Sequence, residues 1–283
     1  MIRGDLRRAL KEVRLRPPMS FTAFGHDYTL PFRVKETPLQ VPSKEMLAYL
    51  SGFFAGDGCV SSDLRELKVG QSVQGAAVLF LFARFFGGSI GVASTGSGTS
   101  FPVLQWQVGG SKGHRAAEML GKLEKQAQLM FFTSNNAGHQ TVANFAELWK
   151  QMPTVEFQSW QEVAGFVDAE GCFASMRLSS IELRFQQRHR ASLEALQRFL
   201  LRELGIRVSV RASATRDAHA LAISHQPTKK ICEKLLEAGL LQKRVQAELA
   251  LGHSPARHLE VRSKLQELKE IPPTGCRGNL PGS

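Results

Sequence analysis

Two short segments of the chain carry a carboxylate in the same sequence setting. The first is FFAGDGCV at 53–60 and the second is FVDAEGCF at 166–173. Their acids, Asp57 and Glu170, lie 113 residues apart (170 minus 57), and each precedes Gly, Cys and an apolar residue. One such acid alone is usually an ordinary exposed residue, but its repetition predicts a pair that acts together. Two carboxylates near each other suit oxygen coordination of Mg²⁺, with water and phosphate completing the shell.

Each acid ends a segment with the pattern of a helix. Ser43 is a candidate N-cap for the first helix, and the residues 159–162 form a candidate capping box for the second. Small residues recur four apart and therefore line one stripe of each helix. They are Ala48, Gly52 and Gly56 in the first segment, and Gly165 and Ala169 in the second. Two such stripes allow the helix backbones to approach unusually closely.

The placement of the acids is electrostatically unfavourable without a cation. A helix C-terminus is the negative end of the helix dipole, and two carboxylates brought together resist ionisation. Divalent cations between them would offset both effects. Gly58 and Gly171 follow the acids, and we expect them to permit a sharp exit from each helix into a strand.

The repetition extends well beyond the acids. LKVGQ at 67–71 matches LRFQQ at 183–187, with an offset of 116 residues. In each case a helical stretch follows (76–86 and 192–204), then glycine, then an alternating run (90–92 and 206–210) and a hairpin partner (101–108 and 218–223). Each half closes with a further helical stretch, at 113–125 and 227–237. The pattern predicts an α+β fold in which an αββαββα unit occurs twice.

The alternation within the strands predicts a polar sheet face. Ile181, Leu183 and Phe185 point to one side, and the residues between them are polar or basic. Because the chain carries a net charge of +11, with a pI near 9.8, a polyanionic partner is favoured and this face is its expected binding surface. The candidate contacts to a nucleic acid are Arg65, Lys68, Arg177, Glu182, Arg184, Gln186, Arg188, Arg207, Ser209 and Arg211.

Composition and turn-forming residues limit the kinds of site, the compartment and the domain boundaries that the chain can have. The four cysteines lack CxxC spacing, which argues against a zinc site or a disulfide framework and favours a reducing intracellular compartment. The basic first 16 residues leave a chloroplast or mitochondrial transit peptide open. Proline and turn-forming residues suggest five regions: a basic N-terminal extension at 1–42, a first half at 43–149, a linker at 150–159, a second half at 160–255, and a C-terminal helix and tail at 256–283.

These features together resemble the LAGLIDADG homing endonucleases, in their double-motif, single-chain form. LAYLSGFFAGDG at 47–58 and EVAGFVDAEG at 162–171 resemble the two family motifs, and the resemblance covers roughly residues 44–255. It implies two pseudo-symmetric halves, each with a saddle-shaped antiparallel sheet, packed through the motif helices. It also implies a monomer that binds a long DNA site and cuts one phosphodiester in each strand.

The resemblance further implies roles for individual residues. Asp57 and Glu170 would bind metal together with the carbonyls of Gly56 and Ala169. The metal would be Mg²⁺, with Mn²⁺ able to substitute and Ca²⁺ able to bind without supporting cleavage. The polar pocket around the metal would contain Gln71, Gln187 and Lys243, with Gln74 and His189 as neighbouring candidates; in the first half only His139 or Gln140 stands where the family often has a second lysine.

Two other functions stay open on the sequence alone. Some members of the family have become RNA-splicing factors (maturases), and a cleavage-dead DNA-binding regulator would retain the same fold. Both acids are intact in this chain, which favours the nuclease.

Overall fold

The computed structural model describes residues 15–35, 39–61, 65–98, 100–120, 156–175, 180–188, 190–213 and 217–270, together with residues 9, 12 and 13. Within them are eleven strands: β1 (Ser20–Ala23), β2 (His26–Thr29), β3 (Phe32–Arg33), β4 (Gly58–Val60), β5 (Glu66–Ser72), β6 (Ser89–Ser94), β7 (Val103–Gly109), β8 (Cys172–Ser175), β9 (Ile181–Gln187), β10 (Val210–Ala212) and β11 (His219–Ser224). The helices are α1 (Lys44–Asp57), α2 (Ala76–Phe86), α3 (Gly110–Leu120), α4 (Trp160–Glu170), α5 (Arg190–Leu204), α6 (Gln226–Glu237), α7 (Arg244–Leu251) and α8 (His258–Glu270).

The predicted αββαββα order occurs twice, as expected. The second sheet has the strand order β10-β11-β9-β8, and the first has β6-β7-β5-β4 with one further strand, β3, outside β6. Equivalent strands of the two repeats therefore occupy equivalent places. The pairs β5–β7, β6–β7, β8–β9, β9–β11 and β10–β11 are antiparallel. The predicted repeat and fold class are confirmed.

One compact unit contains the first sheet and helix α2. Its core is aromatic: the Trp106 ring of β7 lies 4.9 Å from the Phe82 ring of α2, and its indole N–H donates to the Gly87 carbonyl at 2.8 Å. Gly87 and Gly88 then turn the chain from α2 into β6 with φ values of 76° and 82°. Glycine adopts these angles without the strain that other residues would incur.

The N-terminal region, for which the sequence suggested no role, contributes to this unit. Strands β1 and β2 form a hairpin, and β3 pairs with β6. Rings of Phe21, Tyr28 and Phe32 cluster with Phe80 of α2, with centroids 4.6–5.8 Å apart. The extension at 1–42 therefore supplies an extra strand and an aromatic cluster to the first half.

A second compact unit contains α1, the second sheet and helices α4 to α8. Phe166 of α4 stacks on Phe185 of β9, with centroids 5.8 Å apart and nearly parallel rings, so α4 covers the apolar face of this sheet. Phe157 lies 5.3 Å from Phe166 and completes the contact.

One predicted strand was placed too early. The alternating run 206–210 is mostly not a strand, and β10 begins only at Val210. The Val208 carbonyl accepts a hydrogen bond from the Gln197 side chain of α5 at 2.6 Å. A helix side chain thus takes the place of a strand partner for that carbonyl. Arg207 and Ser209 consequently precede the strand and are both exposed.

No helix within the described residues is long and apolar enough to cross a membrane.

Candidate active site

Helices α1 and α4 are in backbone contact where their glycines meet. A Cβ atom added to Gly52 would lie 1.9 Å from the Glu162 carbonyl oxygen, and one added to Gly165 would lie 1.9 Å from the Tyr49 carbonyl oxygen. No side chain larger than hydrogen fits at either position. The predicted small-residue stripe therefore does what its spacing suggested: it allows two helices to approach with nothing between them.

Capping groups fix where both helices begin. Ser43 accepts a hydrogen bond from the Met46 N–H at 3.2 Å, and Ser159 accepts one from the Glu162 N–H at 3.3 Å. The Glu162 carboxylate in turn accepts the Gln158 N–H at 2.7 Å, one residue earlier than in the usual capping box. With both starts fixed, the helix lengths determine where the acids lie.

The two acids end their helices side by side. Asp57 is the last residue of α1 and Glu170 is the last residue of α4. A Cβ added to Gly56 would lie 2.4 Å from the Ala169 Cβ and 2.9 Å from the Glu170 Cγ. The Glu170 side chain therefore lies directly against the end of α1, and both negative helix ends face one region.

The glycines after the acids serve a different purpose from the one expected. Gly58 and Gly171 have φ values of −72° and −70°, which any residue can adopt. Space is what excludes a side chain: a Cβ on Gly58 would lie 2.4 Å from the Phe54 ring, and one on Gly171 would lie 2.8 Å from the Val167 carbonyl oxygen. The sharp exit is real, but its glycine requirement comes from contact with the preceding helical turn.

Lys243 brings a positive charge to the same place. Its ammonium group donates to three carbonyls in the last turn of α4: Val167 at 2.8 Å, Asp168 at 2.5 Å and Ala169 at 3.3 Å. The Val167 carbonyl also accepts the Gly171 N–H at 2.8 Å. A cation at a helix C-terminus is favourable. Burial lowers the pKa of Lys243, and the nearby negative charges of Asp168, Asp57 and Glu170 oppose that shift.

Asp168, a second acid of α4 that was not among the predicted site residues, organises the loop that carries Lys243. The buried Asp168 carboxylate accepts the backbone N–H groups of Leu241 at 2.8 Å, Gln242 at 3.0 Å and Lys243 at 2.8 Å. It also accepts the hydroxyl of Tyr49 from α1 at 2.7 Å. Burial raises the pKa of Asp168 above its usual value, while these four hydrogen bonds favour the carboxylate.

The sequence did contain a signal for Asp168. It is a charged residue within the buried stretch 163–168 of α4, and the matching position of the first motif is Ala55. A buried charge needs partners, so this difference between the motifs marked a structural role.

The two glutamines predicted for the polar pocket occupy equivalent strand positions. Gln187 ends β9 on the same face as Leu183 and Phe185, which α4 covers, and its Nε2 is buried with no hydrogen-bond partner among the described residues. Gln71 has the corresponding place in β5, opposite Leu104. Gln74 lies in the 3-10 turn that follows. His139, Gln140 and His189 lie outside the described residues.

Some of the predicted DNA contacts already form ion pairs within their own sheet. Lys68 forms an ion pair with Glu66 at 3.0 Å, and Arg184 forms one with Glu182 at 2.6 Å, so the two repeats share this pair. Burial would raise the pKa of Glu182, but hydrogen bonds from Ser224 and Arg184 bring it below its usual value.

The other candidates are more exposed. Gln186 donates to Ser213 at 3.0 Å, and Arg188 lies 4.0 Å from Asp217. Arg65, Arg207, Ser209 and Arg211 are exposed, and Arg177 lies outside the described residues.

The donor atoms at the helix ends fit a hard divalent cation. Among the described residues, no group of three or more His, Cys, Asp or Glu side chains is placed to hold a metal ion. Protein ligands would therefore be the carboxylates of Asp57 and Glu170 and main-chain carbonyls such as that of Gly56. Such a set suits Mg²⁺, which binds one or two carboxylates and keeps several waters or phosphate oxygens. The Ala169 carbonyl also accepts a hydrogen bond from Lys243 at 3.3 Å.

Comparison with known proteins agrees with this architecture. Residues 161–236 match the family described as the LAGLIDADG-like domain. The LAGLIDADG meganuclease I-AabMI, solved bound to uncleaved DNA, superposes with a TM-score of 0.57 at 16% identity, over 80% of this chain and 98% of that one. The LAGLIDADG homing endonuclease I-LtrWI, solved with its target DNA, superposes with a TM-score of 0.56 at 15% identity. The match covers 82% of this chain and 99% of that one. No curated protein matches the sequence. The resemblance seen in the sequence is confirmed, and the chain has the fold of the single-chain LAGLIDADG meganucleases.

Proposed function

We propose that this chain, which shares the fold of the LAGLIDADG meganucleases, is a site-specific DNA endonuclease that requires a divalent metal ion. It would hydrolyse one phosphodiester in each strand of a long, asymmetric duplex target. The observation that carries this proposal is the placement of Asp57 and Glu170 at the adjacent ends of two helices in backbone contact, with the Lys243 ammonium group on the same helix end.

Four side chains of this chain would have separate roles in the reaction. Asp57 and Glu170 would hold the metal, assisted by the Gly56 carbonyl. When bound, Mg²⁺ supplies Lewis-acid activation of a phosphodiester and of a water molecule. Lys243 would stabilise the negative charge that develops on the phosphate, and its position is fixed in advance by the α4 carbonyls. Gln187 carries a buried amide nitrogen with no partner among the described residues, and it would orient water or phosphate oxygen.

DNA binding follows from charge and from the sheet faces. The net charge of +11 suits a polyanion, and the polar faces carry arginine, lysine, glutamine and serine, which bind phosphates and base edges. I-AabMI and I-LtrWI, which have this fold, were solved bound to DNA. We expect affinity to fall steeply with salt, because each phosphate contact contributes a slope of about −0.9 in log K against log[salt].

Selection from a randomised duplex library in the presence of Mg²⁺ tests the proposal, with both bound and cut molecules sequenced. We expect one long asymmetric sequence to be enriched in both pools. Asp57→Asn and Glu170→Gln should each retain binding of that duplex and lose cleavage by at least about 100-fold, as for removal of a preorganised electrostatic group.

Glu162→Gln is the matched control. It alters another buried carboxylate of α4, which accepts the Gln158 N–H at the start of that helix. It should cut normally once folded. Full cleavage by the Asp57 or Glu170 variants would refute the mechanism. Specific binding without any cut product in Mg²⁺ or Mn²⁺ would instead identify a DNA-binding protein without nuclease activity.

A further inference from the structure

Strand β3 adds a fifth strand to the first sheet. In it, Phe32 pairs with Ile90 and Arg33 pairs with Ser89 of β6. The second sheet has no strand outside β10 among the described residues. The first half is therefore one strand wider than the second, and the addition comes from a segment that precedes the repeated unit.

Cross-strand pairing shows which side of the sheet each residue of β3 occupies. One row runs through Phe32, Ile90, Trp106 and Val69, and the last three are fully buried. The Phe32 ring lies 5.6 Å from Phe80 of α2, so this row faces the helix. The covered side of the sheet thus continues into β3.

The alternating row lies on the opposite, uncovered side. It runs through Arg33, Ser89, Gln107 and Lys68, four polar residues in register across four neighbouring strands. Lys68 belongs to the face proposed to bind DNA. Arg33 is therefore the outermost member of that face, because neighbouring strand residues that are in register point to the same side.

The exposed guanidinium group of Arg33 also suits an external partner. Lys68 has an acidic neighbour, Glu66, at 3.0 Å. Arg33 is exposed and forms no ion pair or hydrogen bond with any described side chain, and the exposed Lys35 lies two residues further along. An arginine held on a paired strand presents a fixed fork of donors that matches phosphate oxygens.

We infer that β3 extends the DNA-binding face of the first half and that Arg33 contacts a phosphate of the duplex backbone at the outer end of the target. The inference rests on the proposed function. A phosphate contact would strengthen binding without reading sequence, and the contact would be made at one end of the site, because the second sheet shows no equivalent strand among the described residues.

The test measures binding of the selected duplex over a range of salt concentrations without divalent metal. Arg33→Ala should reduce the slope of log K against log[salt] by about 0.9, the contribution of one phosphate. Between 1 M and 0.1 M salt that slope corresponds to a factor of roughly eight, so the variant should bind about eightfold more weakly at 0.1 M. Arg33→Lys keeps the charge and should retain most of the slope. Hydroxyl-radical footprinting should show lost protection at one end of the target.

Arg84→Ala is the matched control, because Arg84 lies on α2, which covers the other side of the sheet, where its guanidinium bonds to Gln40 at 2.8 Å. It removes the same charge and should leave the slope and footprint unchanged. An unchanged slope and footprint for Arg33→Ala, in a protein whose wild type binds and cuts, would overturn the inference alone. Equal effects of both variants would also overturn it, since they would report only net charge. A wild-type protein that binds no duplex would overturn the proposed function as well.

Discussion

One of the two closest helix contacts in the candidate site gives the sharpest prediction, through the variant Gly165→Ala. The added methyl carbon would lie 1.9 Å from the Tyr49 carbonyl oxygen and 2.7 Å from the Phe53 amide nitrogen. Cβ atoms in real structures essentially never approach a heavy atom within 3.0 Å, so the carbonyl contact requires a local displacement of at least 1.1 Å (3.0 minus 1.9). Both neighbours are backbone atoms, so no change of side-chain rotamer can relieve the contact.

That displacement has two expected effects. Overpacking typically costs about 1–3 kcal/mol, and we expect the upper part of that range because two helix backbones must separate. The same movement shifts Glu170 relative to Asp57, since both acids follow this contact by only a few residues in their helices. A misplacement of about 1 Å can reduce the rate of a positioned reaction by roughly 100-fold.

Thermal unfolding and single-turnover cleavage of the selected duplex measure these effects separately. The control is Gly252→Ala at the end of α7, where φ is −74° and the new methyl group would meet its nearest atoms at 3.4 and 3.5 Å. It should behave like wild type in both assays. If Gly165→Ala unfolds at the wild-type temperature and cuts at the wild-type rate, the close packing of α1 and α4 is not what positions the acids.

Two further predictions concern charges in the second unit. Asp168→Asn should slow single-turnover cleavage about as much as Lys243→Met does. The double variant should be no slower than either single variant, because Asp168 acts through the position of Lys243. If the two losses add in the double variant, the residues have independent roles. Hydrogen bonds and charges from Arg257 and Lys264 lower the pKa of Glu260 from 4.5 to about 2. The stabilising contribution of the Glu260 carboxylate is therefore fully present above pH 4.5 and is lost as the pH falls through about 2. Glu260→Gln should therefore slightly lower the unfolding temperature at neutral pH, and the difference from wild type should shrink steadily below pH 4.5.

The parts of the site that repeat could be predicted from the sequence. Gln187 was implied by the resemblance to the LAGLIDADG family rather than by spacing. The recurrence of an acid before Gly-Cys indicated Asp57 and Glu170, and the small residues four apart indicated Gly52 and Gly165. Each of these signals depends on local spacing along one helix or strand. Spacing along one helix or strand determines which side chains share a face, so such signals can be interpreted from the sequence alone.

The parts of the site that were missed depend on contacts between distant segments. Asp168 meets the backbone at 241–243, which is 73–75 residues away in the chain, and it meets Tyr49 across 119 residues. No periodicity indicates which loop will supply backbone donors to a buried carboxylate. The pairing of β3 with β6 likewise joins segments that are far apart in the chain, and a two-residue strand is too short to show alternation.

The divergence of the two motifs bears on how the two strands of DNA would be cut. In the second motif, a buried aspartate holds the loop that delivers Lys243, and the lysine binds the end of the same helix. In the first motif, Ala55 has no group that could bind such a loop, even though it lies at the matching position of a helix that also ends in an acid. A basic residue supporting Asp57 would therefore have to be held by other means, so the surroundings of the two acids differ. Stabilisation of developing charge lowers the barrier to phosphodiester hydrolysis. If the chain cuts both strands, as we propose, unequal pockets would therefore give unequal rates on the two strands, with a nicked duplex as the intermediate.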